Sequence, residues 1–489
     1  MGIPTTVSST ELRSRFAARL SELYGTEVPA YRTLVEVAQE VNQRVIAQRG
    51  AEAERLGSIG RVTAERHGAI RVGTPEELTQ VSRVFGALGM FPCGFYDLRD
   101  AAPAPIPVVS TAFRPLDRDE LAANPFRVFT SMLVPEDRRF FDPDLEDRLS
   151  RFLAARELFP AELLALADVA IEHGELSAAD ADRYLELAVA SFALSADPVD
   201  RVWYGELERI SGVAADIGGV TTTHINHLTP RVLDIDDLYS SMQARGIEMI
   251  DEIQGPPRWN GPDVLLRQTS FRALAEPRTF RDPDGRISQG ALRVRFGEVE
   301  ARGIALTPAG RDRFDELVTT VDRRMVDDPD LRRADVAQQV WREGLPATER
   351  DLCLAQLGFF TFVVDPGVAA GRPAPEQVTA LERGCVDALV RTGVLHPEPI
   401  VYEDFLPRSA AGIFASNLTE SGTMDADQGG AERDPDWMAG VMGRTVHVPE
   451  ELYAKQSSAS LGAAEQILGR RISSTGPPDI KKPQGRHGA

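Results

Sequence analysis

The chain has 489 residues, 43% of them hydrophobic, and a formal net charge of -20. That length can bury a substantial core and hold roughly two to four structural units. The excess of acid repels phosphate backbones and anionic lipid heads, so neither nucleic acid nor a membrane surface is an expected partner.

No apolar run approaches the ~18 residues that cross a bilayer, and the N-terminus MGIPTTVSSTE lacks the charged-then-apolar layout of a signal peptide. A cytoplasmic protein is expected. Cys93, Cys353 and Cys385 form no CxxC pair, which argues against a disulfide framework or a thiolate zinc site.

Residues 1–60 read as two helices. Ser9 can cap SSTELRSRFAARLSELYG, in which Leu12, Phe16, Leu20 and Leu23 recur at helical spacing. The pattern then changes for residues 61–142. GRVTAERHGAIRV alternates, with Val62, Ala64, Ile70 and Val72 on one parity and Thr63, Glu65, His67 and Arg71 on the other, which predicts a strand with one polar face. TPEEL starts a helix, Thr74 capping, Pro75 at the first helical position and Glu77 completing a capping box. MFPCGFYDL, PVVSTAFRP and PFRVFTSML predict three more strands.

Residues 143–212 are helical text and read as an insertion. Over 213–306 the earlier order returns: a strand through His227, a helix DIDDLYSSMQARG closed by Gly246, then IEMIDEI, DVLLRQTSFRALAE and GALRVRFGEVEARG. The expected fold class is therefore α+β, with a βαβββ unit used twice to form a central cup of sheet. From Thr307-Pro308 the chain turns helical to about residue 394, and an irregular stretch, YEDFLPRSAAGIFASNL, completes a region 307–420. Residues 421–489 form an extension whose Gly-, Pro-, Ser- and Lys-rich end predicts disorder.

Placed side by side, HGAIRVGTPEEL from His67 and HLTPRVLDIDDL from His227 agree in the histidine, an arginine four later, a valine five later, a capping residue seven later, two acids and a leucine. The counterpart of His67 is thus His227 and not His224. Four is an even step, so His67 shares a strand face with Arg71, and His227 with Arg231, although Pro230 signals an edge or bulge in the second copy. In ALRVRFGEVEARG, Leu292, Val294 and Phe296 make an apolar face with Arg293 and Arg295 outward, and continuing the alternation turns Glu298 and Glu300 inward. Two histidines and one carboxylate suit non-haem Fe(II), or Mn, because they leave coordination positions open. A lone strand histidine is more often a hydrogen-bonded core residue, and a Glu-x-Glu strand usually lies in solvent. The equivalent placement of the two histidines is what favours the metal. HExxH, GxSxG, P-loop and GxGxxG signatures are absent.

The duplicated unit resembles the vicinal oxygen chelate fold. Within it, RHGAIR, INHLTPRVLDID, LLRQTSF, FGEVEARGIALTPAGR and YEDFLPRSAAGIF resemble the 2-oxoadipate dioxygenase/decarboxylases, over residues 5–420. The resemblance implies His67, His227 and Glu298 as ligands of Fe(II), with Glu300 the alternative acid. The Glu-x-x-x-Arg spacing of EVEAR is similar to the terminal ligand strand of hydroxyphenylpyruvate dioxygenases and favours Glu298. The implied reaction is oxidative decarboxylation of a 2-oxo acid by O2 followed by hydroxylation of the shortened chain, 2-oxoadipate giving D-2-hydroxyglutarate and CO2 in lysine breakdown.

A fixed guanidinium suits the far carboxylate of such a substrate, and Arg71, sharing a face with His67, is the expected holder. The chain departs from the family pattern at Arg408-Ser409, where a small apolar residue is expected before the serine; both are placed at the substrate, with Arg408 a second cation that would alter the preferred chain length or polarity. The rival readings are another enzyme on this fold, glyoxalase-like or ring-cleaving, and a non-catalytic carboxylate-binding protein.

Overall fold

The computed structural model describes residues 6–101, 105–273, 275–292, 295–328, 330–406, 424–425 and 428–473. The tail expected to be disordered falls largely on residues 474–489, outside the described residues. The chain divides into two units, the first made of residues 1–255, 266–302 and 403–449 and the second of 256–265, 303–402 and 450–489.

The first unit opens with β1 (Thr6–Ser8), α1 (Ser9–Glu27) and α2 (Pro29–Arg49). Ser8, rather than Ser9, caps α1 by accepting from the Glu11 amide. The helix buries Leu12, Phe16, Leu20 and Tyr24 along one stripe. The strand expected from Val62 begins later. Ser58 accepts from the Arg61 amide and starts a short helix α3 (Ile59–Ala64), and β2 is Arg66–Val72. Six residues are too few to show a helical period, so a local alternation hid the turn.

Next come α4 (Pro75–Ala87), capped by Thr74 as its sequence predicts, β3 (Phe91–Asp97), β4 (Val108–Arg114), α5 (Arg118–Ala123) and β5 (Arg127–Leu133). Residues 143–219 carry α6 (Pro143–Ala154), α7 (Ala161–His173), α8 (Ala178–Ser191), α9 (Arg201–Glu208) and α10 (Gly212–Gly219). Two short strands lie among them, β6 (Glu175–Ser177) against β1, and β7 (Val199–Asp200). Then follow β8 (His227–Pro230), α11 (Ile235–Ala244), β9 (Leu266–Ser270), β10 (Glu276–Arg281), β11 (Ile287–Leu292) and β12 (Glu298–Arg302).

The main sheet has the order β3-β4-β5-β2-β8, with β2 parallel to β5 and antiparallel to β8. Beyond β8 the pairing continues through a parallel bridge between Arg231 and Glu300, where the Val232 amide donates to the Glu300 carbonyl at 2.8 Å, into the antiparallel pair β12-β9. IEMIDEI forms no strand of its own; Met249 and Gln254 make isolated bridges to Phe271 and Gln268. The segment read as one strand, GALRVRFGEVEARG, is two. β11 ends at Leu292 and pairs with β10 in a separate sheet with β7, and β12 starts afresh at Glu298. Gly297, just before β12, lets the Phe271 ring pack against the backbone, since a Cβ there would stand 2.0 Å from it. Arg295, expected to face outward, is instead buried, with its Nε 2.9 Å from Glu276 and Nη1 on Glu27.

Ile70, Val72, Leu78, Val81, Phe85, Leu228 and Val299 belong to one core of this unit, and Ala69, Phe129, Leu133, Val213 and Ala214 to another. Residues Pro435–Met442 return as a helix and add Met438 and Met442 to the first.

In the second unit, Thr307 caps the helix Pro308–Asp327, followed by helices Arg333–Gly344 and Glu349–Leu354. The expectation of helix through residue 394 misses β13 (Phe360–Val364), which pairs antiparallel with β14 (Leu395–Pro399).

Candidate metal centre

β2 and β8 meet with Ala69 opposite His227 and His67 opposite Thr229. Residues paired across a ladder, and every second residue along a strand, project from one face. Both imidazoles therefore emerge on the same side of the sheet, offset by one step, with ring centroids 5.4 Å apart and nearly perpendicular. Glu298, the first residue of β12, reaches both: its Oε2 is 3.3 Å from His67 Nε2 and 3.5 Å from His227 Nε2. All three side chains are buried, and their donor atoms lie within 4.8 Å of one another. Two imidazole nitrogens and a carboxylate oxygen converging in this way could hold a metal ion while leaving positions open.

Glu300, next inward on β12, stands on the other edge of the same ring, its Oε2 2.9 Å from His67 Nδ1. Arg302 grips this carboxylate at 2.7 and 2.9 Å, and Arg127 approaches it at 3.4 Å. Behind it lies a buried knot of charge. Glu65 takes Arg127 at 2.8 Å and Arg231 at 2.9 Å, and Glu403 takes Arg127 at 2.5 Å as well as Arg61. Arg114 and Asp404 form a further buried pair at 2.8 Å. Tyr24, from α1, donates its hydroxyl to the Phe296 carbonyl at 2.8 Å and lies 3.0 Å from that of Asn226. One side chain thus fixes the backbone leading into both His227 and Glu298.

These surroundings set the proton affinities. Burial alone would depress His67, but Glu300 and Glu298 outweigh it and raise its pKa above the ordinary imidazole value. For His227 burial prevails over Glu298, helped by His67 and Arg71, and the pKa falls to about 4. Glu300 goes well below the usual carboxylate range, because Arg302, His67 and Arg127 overcome the burial that would raise it.

Of the residues singled out from sequence, His67, His227 and Glu298 come together and Glu300 lies beside them. Arg71 is buried on the same face of β2, paired through Nη1 with Asp216, which also accepts from Asn226 Nδ2 at 2.9 Å and lies 3.2 Å from His224 Nε2. His224 therefore belongs with Asp216. Arg231 is committed to Glu65 and to the Leu56 carbonyl at 2.8 Å. Arg408 and Ser409 lie outside the described residues. Just before them Phe405 sets its ring 5.0 Å from that of His67 and 5.1 Å from Phe129.

Glu65, Arg127, Arg302, Glu403 and Asp216 were not anticipated. Glu65 shares parity with His67, and Arg127 lies in a predicted strand, which were usable hints; Asp216, ahead of the strand expected through His227, offers none.

The sequence profile of 2-oxoadipate dioxygenase/decarboxylase matches residues 16–417. Over 443 residues the chain is 53% identical to the 2-oxoadipate dioxygenase/decarboxylase of Mycobacterium tuberculosis, covering 91% of this chain and 95% of that one. Over 474 residues it is 39% identical to the protein of that name from Pseudomonas putida, covering 94% and 98%. The fold superposes with a TM-score of 0.80 on the crystal structure of hydroxyglutarate synthase in complex with 2-oxoadipate from Pseudomonas putida, 37% identical and covering 96% and 100% of the two chains. The chain belongs to the 2-oxoadipate dioxygenase/decarboxylase family of enzymes.

Proposed function

We propose that the chain is an Fe(II)-dependent dioxygenase that decarboxylates and hydroxylates a 2-oxo dicarboxylic acid, taking 2-oxoadipate to D-2-hydroxyglutarate and CO2 as a step in lysine breakdown. The observation that carries the reading is the buried convergence of His67, His227 and Glu298 in a chain whose structural relative holds 2-oxoadipate.

The sheet supports two βαβββ copies of vicinal oxygen chelate type. β2-α4-β3-β4-β5 closes with β5 parallel to β2, and β8-α11, the bridged segment near 249–254, β9 and β12 close with β12 parallel to β8. The β10-β11 hairpin is then an insertion in the second copy.

His67 and His227, through Nε2, and Glu298 are the assigned ligands. Fe(II) held there would supply open coordination positions for a 2-oxo acid and O2. Glu300, held by Arg302 and 2.9 Å from His67 Nδ1, orients that ring by its charge and so directs Nε2 at the metal. Arg71, aligned by Asp216, takes the far carboxylate of the substrate. Arg408 and Ser409 are assigned to the substrate's surroundings on the resemblance alone.

The test is an oxygen-electrode screen of 2-oxo acids of increasing length with added Fe(II), with CO2 measured in parallel. Equal O2 uptake and CO2 release, greatest with a dicarboxylate, is the expected result, and His67→Ala, His227→Ala and Glu298→Ala should each lose stoichiometric iron. Turnover without O2, or O2 uptake without CO2, would overturn the reading in favour of an isomerase or a ring-cleaving enzyme.

A further inference from the structure

We infer that Ser131, oriented by Ser110, is a specificity-determining residue that donates its hydroxyl to the far carboxylate of the substrate beside Arg71. The inference rests on the proposed function and deepens it.

β2 and β5 are parallel and in register, with His67 opposite Arg127, Ala69 opposite Phe129 and Arg71 opposite Ser131. On β4, Ala112 stands opposite Phe129 and Ser110 opposite Ser131. All of these share one face of the sheet by pairing and parity, the face that carries the metal group. That face therefore has three tiers. His67 occupies the first, Ala69, Phe129 and Ala112 make an apolar second, and Arg71, Ser131 and Ser110 make a polar third. The order matches a molecule with a chelating head, a run of methylenes and a terminal anion. The first and third tiers are separated by four residues, about 13 Å of strand, a span suited to a metal bond, a six-carbon chain and a hydrogen bond in sequence.

The hydroxyls themselves point to a ligand. Ser110 Oγ donates to Ser131 Oγ at 2.9 Å, and the two residues are 0% and 2% exposed. With its oxygen already accepting, Ser131 keeps one proton to give, and no acceptor for it exists among the described residues. Buried donors are rarely left so. Arg71, for its part, is balanced by Asp216, so the tier has little charge to spare. A neutral hydroxyl adds a directed donor for a carboxylate oxygen without adding a further buried charge. An ordinary cross-strand serine pair would instead be indifferent to the substrate's far end.

The experiment compares 2-oxoadipate with 2-oxohexanoate, which has the same length but no far carboxylate, in the iron-loaded enzyme. Ser131→Ala should lower the ratio of kcat/KM for the dicarboxylate over the monocarboxylate about tenfold, through KM for the dicarboxylate, and weaken its oxygen-free equilibrium binding by a similar factor, with iron affinity unchanged. Ser131→Cys, nearly isosteric and a weak donor, should fall the same way and serves if the alanine variant does not fold. Ser131→Thr keeps the hydroxyl and should retain most of the ratio. A wild-type ratio in either the alanine or the cysteine variant overturns the inference while leaving the proposed reaction standing. Failure of the wild-type protein to consume O2 with any 2-oxo acid would instead remove the reading beneath it.

Discussion

His67 meets carboxylates at both of its ring nitrogens, Glu298 at Nε2 and Glu300 at Nδ1, whereas His227 meets Glu298 only. The two rings consequently differ in proton affinity, one raised and the other lowered to about 4. At pH 6 the metal-free protein should then carry a proton on His67 and none on His227. Metal uptake has to displace that proton, so affinity should fall as pH drops through the raised His67 value. Close to one proton should be released per ion, measured by calorimetry at pH 6 in buffers of different ionisation enthalpy; a release near zero or two would contradict the assignment. Glu300→Gln keeps all three donors but weakens the orientation of His67. It should cost about 10–100-fold in metal affinity, read by competition with a chelator, and an unchanged affinity would reduce Glu300 to a partner of Arg302.

At the scale of elements, β12 supplies a candidate ligand, its neighbour's orienting acid and the arginine that locks that acid, Glu298, Glu300 and Arg302, at steps of two. Strand parity is why the two acids, and the sharing of a face by His67 and Arg71, could be read from sequence, whereas the role of Arg302 could not. Parity also misled. It carried the alternation of GALRVRFGEVEARG across the break between Leu292 and Glu298, placing Arg295 in solvent, and it extended β2 backward through α3. Partners of Glu65 include Arg127 on β5, Arg231 just past the end of β8 and Arg302 on β12, and nothing local announces such long-range pairing. Removing one member of the knot leaves buried charge uncompensated. Arg231→Met should destabilise by about 3–5 kcal/mol, seen as a lower denaturation midpoint, and Arg231→Met combined with Glu65→Gln should recover part of the loss. A single variant as stable as the wild type would show that Arg127 and Arg302 suffice for Glu65.

For the whole molecule, the first unit is discontinuous in sequence: the chain departs after Arg302 and rejoins at Glu403. On rejoining it brings Glu403 to Arg127 and Asp404 to Arg114. Residues 1–302 alone would lack both acids, so this fragment should neither unfold cooperatively nor retain stoichiometric metal, as circular dichroism and elemental analysis would show; a stable, metal-loaded fragment would disprove the dependence. The motif YEDFLP was legible as family text, but its two acids became interpretable only once three-dimensional pairing placed arginines around them.

Because β2 and β8 run in opposite directions, the arginines that follow the two histidines are carried to opposite ends of the paired strands. Arg231 is absorbed among Arg61, Arg127, Arg302, Glu65, Glu300 and Glu403, while Arg71 answers to Asp216. A cradle with perfect twofold symmetry would accept a two-headed guest either way round. Unequal pairing of these two arginines makes the site asymmetric, so the two ends of any bound guest meet different charge.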